Sequence, residues 1–188
     1  MMERRNALRN IGLGLGYMAA TPTILSMLQS CNATADAGWA PQFFTAEQAA
    51  FLTTAVDVIL PKTDTPGASE VNVPQFIDRF YAEILKPEDQ AKIKEGMEAF
   101  VALAAENGGS DATAITAALE KTLKVAPSMG QEAGPATDFA YELRGKTIWS
   151  YKSSEYVGEE VLAYLPVPGE YLPCEDLQEL TGGKAYTF

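Results

Sequence analysis

Five stretches in which apolar residues recur every three or four positions constrain the fold more than any other feature of this sequence. Such spacing is typical of amphipathic helices. The first stretch begins with a capping box, Thr45 to Gln48, and stops at Pro61. The other four begin at or near Pro74, Pro87, Asp111 and Pro135. Since no segment alternates as a strand does, the sequence predicts an all-α fold, a compact bundle of about five helices.

The second and fifth helices are predicted to contribute aromatic residues to the core. The apolar residues of the second helix fall on one side, so we expect this helix to be buried along one full face. Trp149 and Tyr151 lie on the fifth helix, near the apolar positions Leu143 and Ile148, and are expected in the core. The stripe of the second helix consists of Phe76, Ile77, Phe80, Tyr81, Ile84 and Leu85.

A turn-rich stretch, Lys62 to Asn72, joins the first two predicted helices. Pro66 and Gly67 suit the two central positions of a type II turn, the second of which needs a positive φ. Asp64 is predicted to form an Asx turn just before them, because an Asp side chain readily accepts a backbone hydrogen bond within a turn.

From Tyr164 onward the sequence predicts an extended tail rich in proline and aromatic residues. Pro166, Pro168 and Pro173 exclude a long helix and favour extended or turn geometry. Such a tail cannot bury itself alone. It lies either on its own bundle as a lid or on another protein, and the sequence leaves both readings open. Cys174 has no basic neighbour in sequence and is predicted to be a buried thiol.

The first thirty residues have the pattern of an export signal. A basic start containing Arg4 and Arg5 precedes the uncharged, largely apolar run Ile11 to Leu28. Arg4 and Arg5, followed by Leu8, are similar to a twin-arginine signal, which exports proteins that are already folded. Glu3 stands where such signals usually have Ser or Thr.

Cys31 closes a segment, Leu28 to Cys31, that is similar to a bacterial lipobox. We expect cleavage and lipidation at Cys31, with an uncleaved anchor or ordinary soluble export as alternatives. Every alternative places the body of the protein outside the cytoplasm, and lipidation makes it a membrane-associated lipoprotein on the periplasmic side. The predicted organisation is a signal over residues 1–30, a tether over residues 31–43, and one helical domain over residues 44–188.

Composition excludes several classes of catalytic site. The chain has no histidine and two cysteines, which rules out Ser-His-Asp machinery, His-ligated zinc and haem attachment. A net charge of −11 argues against nucleic-acid binding. We therefore assign no catalytic, cofactor-binding or metal-binding residue to this chain.

Two motifs resemble one known family. The first runs from Ile59 to Ala68 and continues with Val73 and with Phe76 to Asp78. The second runs from Tyr164 to Tyr171 and continues with Cys174. In this order, and with the twin-arginine-like start, they resemble the gluconate 2-dehydrogenase subunit 3 family. Leu165 departs from the family pattern, which commonly has Asp before the Pro-Val-Pro-Gly element.

This resemblance implies a non-catalytic small subunit of a membrane-associated, FAD-dependent sugar or sugar-acid dehydrogenase. A large flavoprotein of the glucose-methanol-choline (GMC) oxidoreductase type would hold the FAD, and a cytochrome c subunit or another acceptor would take the electrons. The small subunit would supply the export signal and, like a chaperone, stabilise the flavoprotein. The expected partner-interface residues are Asp64, Pro66, Gly67, Tyr164, Pro166, Val167, Pro168, Gly169 and Tyr171.

Two other functions compete with this one on the sequence alone. One is a lipid-tethered periplasmic binding or scaffold module without an enzyme partner. The other is a carboxylate-dependent periplasmic hydrolase, such as a glycosidase, which needs two acids about 5–10 Å apart. The candidate acids for that chemistry are Asp64, Asp78, Glu83, Glu159 and Glu160.

Overall fold

A computed structural model describes residues 38–124, 133–165, 169 and 174–187. All of them lie within one compact unit, Ala37–Phe188. Several residues singled out by the sequence lie outside the described residues, and their predicted roles stay predictions. They are Arg4, Arg5, Cys31, Pro166, Val167, Pro168 and Tyr171.

Five long helices dominate the described residues, and the predicted all-α fold is confirmed. A five-residue helix follows in the tail, and a short 3₁₀ turn (Ser69–Val71) and a π-helical turn (Val157–Val161) complete the helical elements. The described tail adds a single isolated parallel bridge between Ala163 and Tyr186. The α-helices are α1 Ala46–Ile59, α2 Val73–Glu83, α3 Pro87–Glu106, α4 Ala112–Leu123, α5 Pro135–Lys152 and α6 Leu177–Thr181.

Local sequence signals set the starts of these helices. The capping box is confirmed, because the Gln48 backbone N–H donates to Thr45 Oγ1 over 3.2 Å and the Thr45 N–H donates to Gln48 Oε1 over 3.1 Å. Asp111 caps α4 by accepting from the Ala114 N–H over 2.8 Å. Helices α2, α3 and α5 each carry a proline in the first turn, where its missing N–H costs nothing.

The core lies between α1, α3, α4 and α5, with the inner side of α2 closing it. Helix α3 approaches α5 closely at Gly96, where a Cβ would lie 2.8 Å from Phe139 Cβ. The absence of a side chain at Gly96 therefore lets the two helices pack. The largest apolar side chains enclosed here are Leu52, Val56, Ile77, Tyr81, Met97, Phe100, Ile115 and Leu143.

Helix α2 is buried along a narrower face than the sequence predicts. Ile77 and Tyr81 are fully enclosed, but Phe76 is 41% exposed and Ile84 is 64% exposed. The expectation of one fully buried apolar face is therefore wrong. Position 78, on the enclosed side, is an aspartate, so part of the inner face is polar and part of the apolar stripe turns outward.

Asp78 holds the segment that precedes α1. Its side chain is fully buried. One carboxylate oxygen accepts from the backbone N–H of Gln42 over 2.6 Å, and the other accepts from those of Phe43 and Phe44 over 3.1 and 3.0 Å. Three amide donors compensate the loss of water around the charge. Residues 42–44 are thereby fixed against α2.

The C-terminal segment pairs with itself beyond α5. Ala163 N–H donates to Ala185 O over 2.8 Å, and Thr187 N–H donates to Ala163 O over 3.0 Å. Cys174 is exposed, so the prediction of a buried thiol is wrong. Its neighbours Glu175 and Asp176 are exposed as well, which leaves it at the surface. Across the described ranges, none of the helices combines the length and the apolar character that a bilayer crossing needs.

Candidate partner interface

The loop between α1 and α2 is held by two carboxylates. Asp57, on α1, accepts from the Ser69 backbone N–H over 2.8 Å and from the Ser69 hydroxyl over 2.6 Å. Glu70 accepts from the Gly67 N–H over 3.0 Å and pairs with Lys62 Nζ at 2.6 Å. The loop is therefore a fixed surface feature.

The Lys62–Glu70 pair shifts the titration of both groups. The hydrogen bond from Lys62, and then the one from the Gly67 amide, hold the pKa of the Glu70 carboxyl below its usual value. The hydrogen bond to Glu70 and its charge raise the pKa of Lys62. Both side chains face solvent, so the pair contributes little to the stability of the domain.

Gly67 is favoured by limited space and not by a positive φ. It is absent from the residues with positive φ, so the predicted type II turn does not form. A Cβ at this position would lie 3.2 Å from the Lys62 backbone nitrogen and 3.3 Å from Asp57 Oδ1. The loop folds back against the end of α1, and Gly67 is the residue that permits this close approach.

Pro66 is tied to α5. The Tyr151 hydroxyl donates to the Pro66 carbonyl over 2.8 Å, a contact between residues 85 positions apart. Tyr151 is partly buried and packs against the core at its edge, so it meets its predicted place in the core only in part. Asp64 is exposed, and its carboxylate has no hydrogen-bond donor among the described residues, so the expected Asx turn is not formed. Asp57 provides the anchoring carboxylate instead, and sequence reasoning missed it because it lies within the α1 pattern.

An aromatic cluster lies on the surface beside this loop. Trp149 of α5 meets Phe76 and Phe80 of α2, with ring centroids 5.3 and 5.7 Å apart and planes at 62° and 70°. Lys146 Nζ lies 3.9 Å from the Phe80 centroid and 5.1 Å from that of Trp149. Trp149 is 40% exposed, so its expected place in the core is wrong.

We name this surface the α2–α5 face. It continues into the loop, because Asn72 lines both the depression along α2 and the one between Pro66 and Tyr156. The structure thus places Pro66, a predicted interface residue, in the same surface depression as the exposed Tyr156, whereas Gly67 is buried. The face comprises Phe76, Arg79, Phe80, Glu83, Ile84, Glu142, Lys146 and Trp149.

The tail residues expected at an interface are exposed where they are described. Tyr164 is 56% exposed and Leu165 is 45% exposed. Gly169 is exposed and has a φ of 74°, a conformation that favours glycine. These residues follow the π-helical turn. The backbone hydrogen bonds of this region join Ala163 to Ala185 and Thr187. The lid reading and the interface reading of the tail both stay predictions.

Two of the candidate acids of the hydrolase reading, Asp78 and Glu83, have other partners, and the remaining three, Asp64, Glu159 and Glu160, are exposed. Asp78 is enclosed and accepts three backbone hydrogen bonds, so its oxygens cannot reach a substrate. Glu83 pairs with Arg79 at 3.5 Å on the surface of α2. Among the residues that the structure places, no group of three or more His, Cys, Asp or Glu side chains could hold a metal ion.

Comparison with known proteins gives one match. The family model described as "Gluconate 2-dehydrogenase subunit 3" matches residues 46–169, a range that begins with α1 and includes the loop, the α2–α5 face and the start of the tail. No curated protein and no solved structure matches significantly.

Proposed function

Because the chain belongs to the gluconate 2-dehydrogenase subunit 3 family, we propose that it is the non-catalytic small subunit of a membrane-associated, FAD-dependent sugar or sugar-acid dehydrogenase. Members of this family are subunits of a dehydrogenase complex. The match of the family model to residues 46–169 is the observation that supports the proposal. The match includes the loop and the α2–α5 face, so the features available for docking belong to the family region.

The proposed partner is a large flavoprotein of the GMC type, which holds the FAD and oxidises the substrate. A cytochrome c subunit accepts the electrons in the assembled complex. This chain binds no cofactor of its own. Its exposed aromatic side chains support a role in association, because Trp and Phe on a surface mark protein contacts more often than isolated aliphatic residues do.

Export and anchoring form the second part of the proposed role. A flavoprotein that binds FAD in the cytoplasm must cross the membrane folded, and a twin-arginine signal on a partner provides for this. Arg4 and Arg5 would direct the complex to that route, and lipidation at Cys31 would hold it on the periplasmic side of a membrane.

Affinity purification of the tagged full chain from its native host tests the association. We expect one FAD-containing flavoprotein per small subunit, identified by mass spectrometry and by flavin absorbance. Recovery of the chain alone, or with a protein that holds no flavin, would contradict the proposed function.

A signal variant tests export separately. Replacing Arg4 and Arg5 together by Lys should leave the flavoprotein in the cytoplasm, because the export route reads the arginine pair. Arg9→Lys is the matched control and should leave its location unchanged. A flavoprotein that reaches the periplasm equally well with both variants would show that this chain does not carry the signal.

A further inference from the structure

The apolar side chains of the α2–α5 face are exposed and held in place. Phe76 and Phe80 of α2 meet Trp149 of α5, with ring centroids 5.3 and 5.7 Å apart. Ile84, just after α2, is 64% exposed and lines the same depression as Phe76. A surface that is ordered before binding loses little side-chain entropy on association. The predicted partner-interface residues lie in the loop and the tail and not on this face, so the proposed flavoprotein contact does not require it.

Two ion pairs supply the charges of this face. Arg79 Nε lies 3.5 Å from Glu83 Oε1 on α2, and Lys146 Nζ lies 3.9 Å from Glu142 Oε1 on α5. In each pair the residues are four positions apart, about 6 Å along the helix axis. Three of these four side chains are at least 41% exposed, so the pairs are solvated and contribute little to the stability of the fold. Their charges are therefore available to an occupant of the face.

The two helices place these charges in two rows of opposite sign. Trp149 meets both phenylalanine rings of α2, whereas Lys146, earlier in α5, lies 3.9 Å from the centroid of Phe80. The helices therefore run in opposite directions across the face. Burial and, to a smaller extent, the charge of Glu142 raise the pKa of the Tyr81 hydroxyl, in agreement with Glu142 lying nearer the end of α2. The cationic row consists of Arg79 and Lys146, and the anionic row consists of Glu83 and Glu142.

A two-fold contact between copies matches this order of charges. An axis that lies in the contact plane, between the rows and across both helices, reverses the order in the second copy. The cationic row of each copy then meets the anionic row of the other. The same rotation turns Ile84 toward the partner's Phe76, so the apolar ends also meet. An anionic membrane, or a protein surface of one charge sign, would attract one row and repel the other. Charge complementarity therefore selects a second copy.

We propose that the α2–α5 face joins two copies of this chain in an antiparallel two-fold contact. In this contact Arg79 lies opposite the partner's Glu83, and Lys146 lies opposite the partner's Glu142. The inference goes beyond the proposed function and does not depend on it. If both hold, the dehydrogenase complex contains two small subunits.

Charge exchange tests the contact in the full chain purified in detergent. Sedimentation should show a dimer for the unaltered chain. Arg79→Glu alone and Glu83→Arg alone should each weaken self-association about tenfold or more, because each places like charges opposite one another. An equimolar mixture of the two variants should form the dimer again, because each variant supplies the sign that the other lacks. Variants that had failed to fold could not recover in this way.

Matched controls separate this face from the rest of the surface. Lys124→Glu reverses one charge of another exposed pair four residues apart, with Glu120, and should leave the dimer unchanged. Ile84→Ser and Trp149→Ala should each weaken self-association about tenfold, because each removes an apolar side chain from the contact. Leu177→Ser, at a side chain that is 53% exposed in α6, should change it less than twofold.

Several results would overturn the contact. They are a monomeric unaltered chain, single variants that self-associate as strongly as the unaltered chain, and a mixture of variants that stays monomeric. Loss of binding only to the flavoprotein, or only to vesicles of phosphatidylcholine and phosphatidylglycerol, would assign the face to another occupant and would overturn the contact as well. Each of these results leaves the proposed function intact, because that function is tested by binding of an FAD-containing protein and not by self-association.

Discussion

At the scale of single residues, buried and exposed carboxylates perform different tasks. Asp78 is enclosed and binds three consecutive backbone amides, which no neutral side chain can do equally well. Asp57 binds both the amide and the hydroxyl of Ser69. Together these two residues fix the segments on either side of α1, and they explain why the loop and the segment before α1 have defined positions.

Asp78→Asn should lower the free energy of unfolding by about 2–4 kcal/mol, because the amide group brings an N–H toward backbone donors and removes the charge. Urea unfolding monitored by circular dichroism measures the change. Asp64→Asn, at an exposed position, should stay within about 0.5 kcal/mol of the unaltered chain. Equal midpoints for the two variants would contradict the role assigned to Asp78.

The pKa of the Glu70 carboxyl should lie below the ordinary value for glutamate, because it accepts hydrogen bonds from Lys62 and Gly67. A lowered folded pKa means that its contribution to stability is present above the unfolded pKa and is lost as the pH falls through the folded pKa. Carbon-13 NMR of the Glu70 carboxyl measures the titration. Lys62→Met should move the pKa back upward, and an identical titration in this variant would refute the pairing.

The sequence predicts some residues of the candidate partner interface correctly and misplaces others. The sequence identifies Pro66 and Gly67 as a structured turn but assigns Gly67 the wrong reason, since its small size and not its φ is what the loop needs. It misplaces Trp149, because a residue beside a helical stripe can lie at the edge of the core as easily as within it. Neighbouring helices decide this, and their positions are not a property of one helix's pattern.

At the scale of elements, packing of α3 on α5 requires a glycine at position 96 but not at position 145. At Gly96 a Cβ would lie 2.8 Å from Phe139 Cβ and 3.0 Å from the Pro135 carbonyl oxygen. At Gly145, also within a helix, a Cβ would have no neighbour within 4 Å. The same substitution therefore has opposite expected effects at the two positions.

Gly96→Ala should destabilise the domain by about 1–3 kcal/mol, because α3 and α5 must move apart to admit the methyl group. Gly145→Ala should stabilise it by about 0.5–1 kcal/mol, through the higher helix propensity of alanine. Thermal or urea unfolding of both variants gives the comparison. A loss of stability at Gly145 similar to that at Gly96 would show that helix packing is not the cause.

The starts of the long helices were readable from caps and prolines, because these signals act within one turn of the chain. The width of the buried face of α2 could not be predicted from the sequence, since it depends on which sides of the helix the other elements cover. Helix α6 was missed because it lies in a proline-rich tail. Asp176 caps the start of α6, because its carboxylate accepts from the Gln178 N–H over 2.8 Å. Gly182 ends the helix with a φ of 65°.

At the scale of the whole molecule, an acidic sequence carries one exposed aromatic face, on which Arg79 pairs with Glu83 and Lys146 pairs with Glu142. The predicted export signal at Arg4 and Arg5 and the predicted lipidation at Cys31 add delivery and anchoring to docking. In the proposed complex the small subunit delivers, anchors and stabilises, while the flavoprotein carries out the oxidation.

Flavin content and activity measured on the separated subunits test this division of labour most directly. After the complex is purified from its host and the subunits are separated, all FAD should remain with the large subunit. The isolated small subunit should not reduce a dye in the presence of sugars or sugar acids. A small subunit that retains flavin by itself, or that reduces the dye alone, would contradict the account.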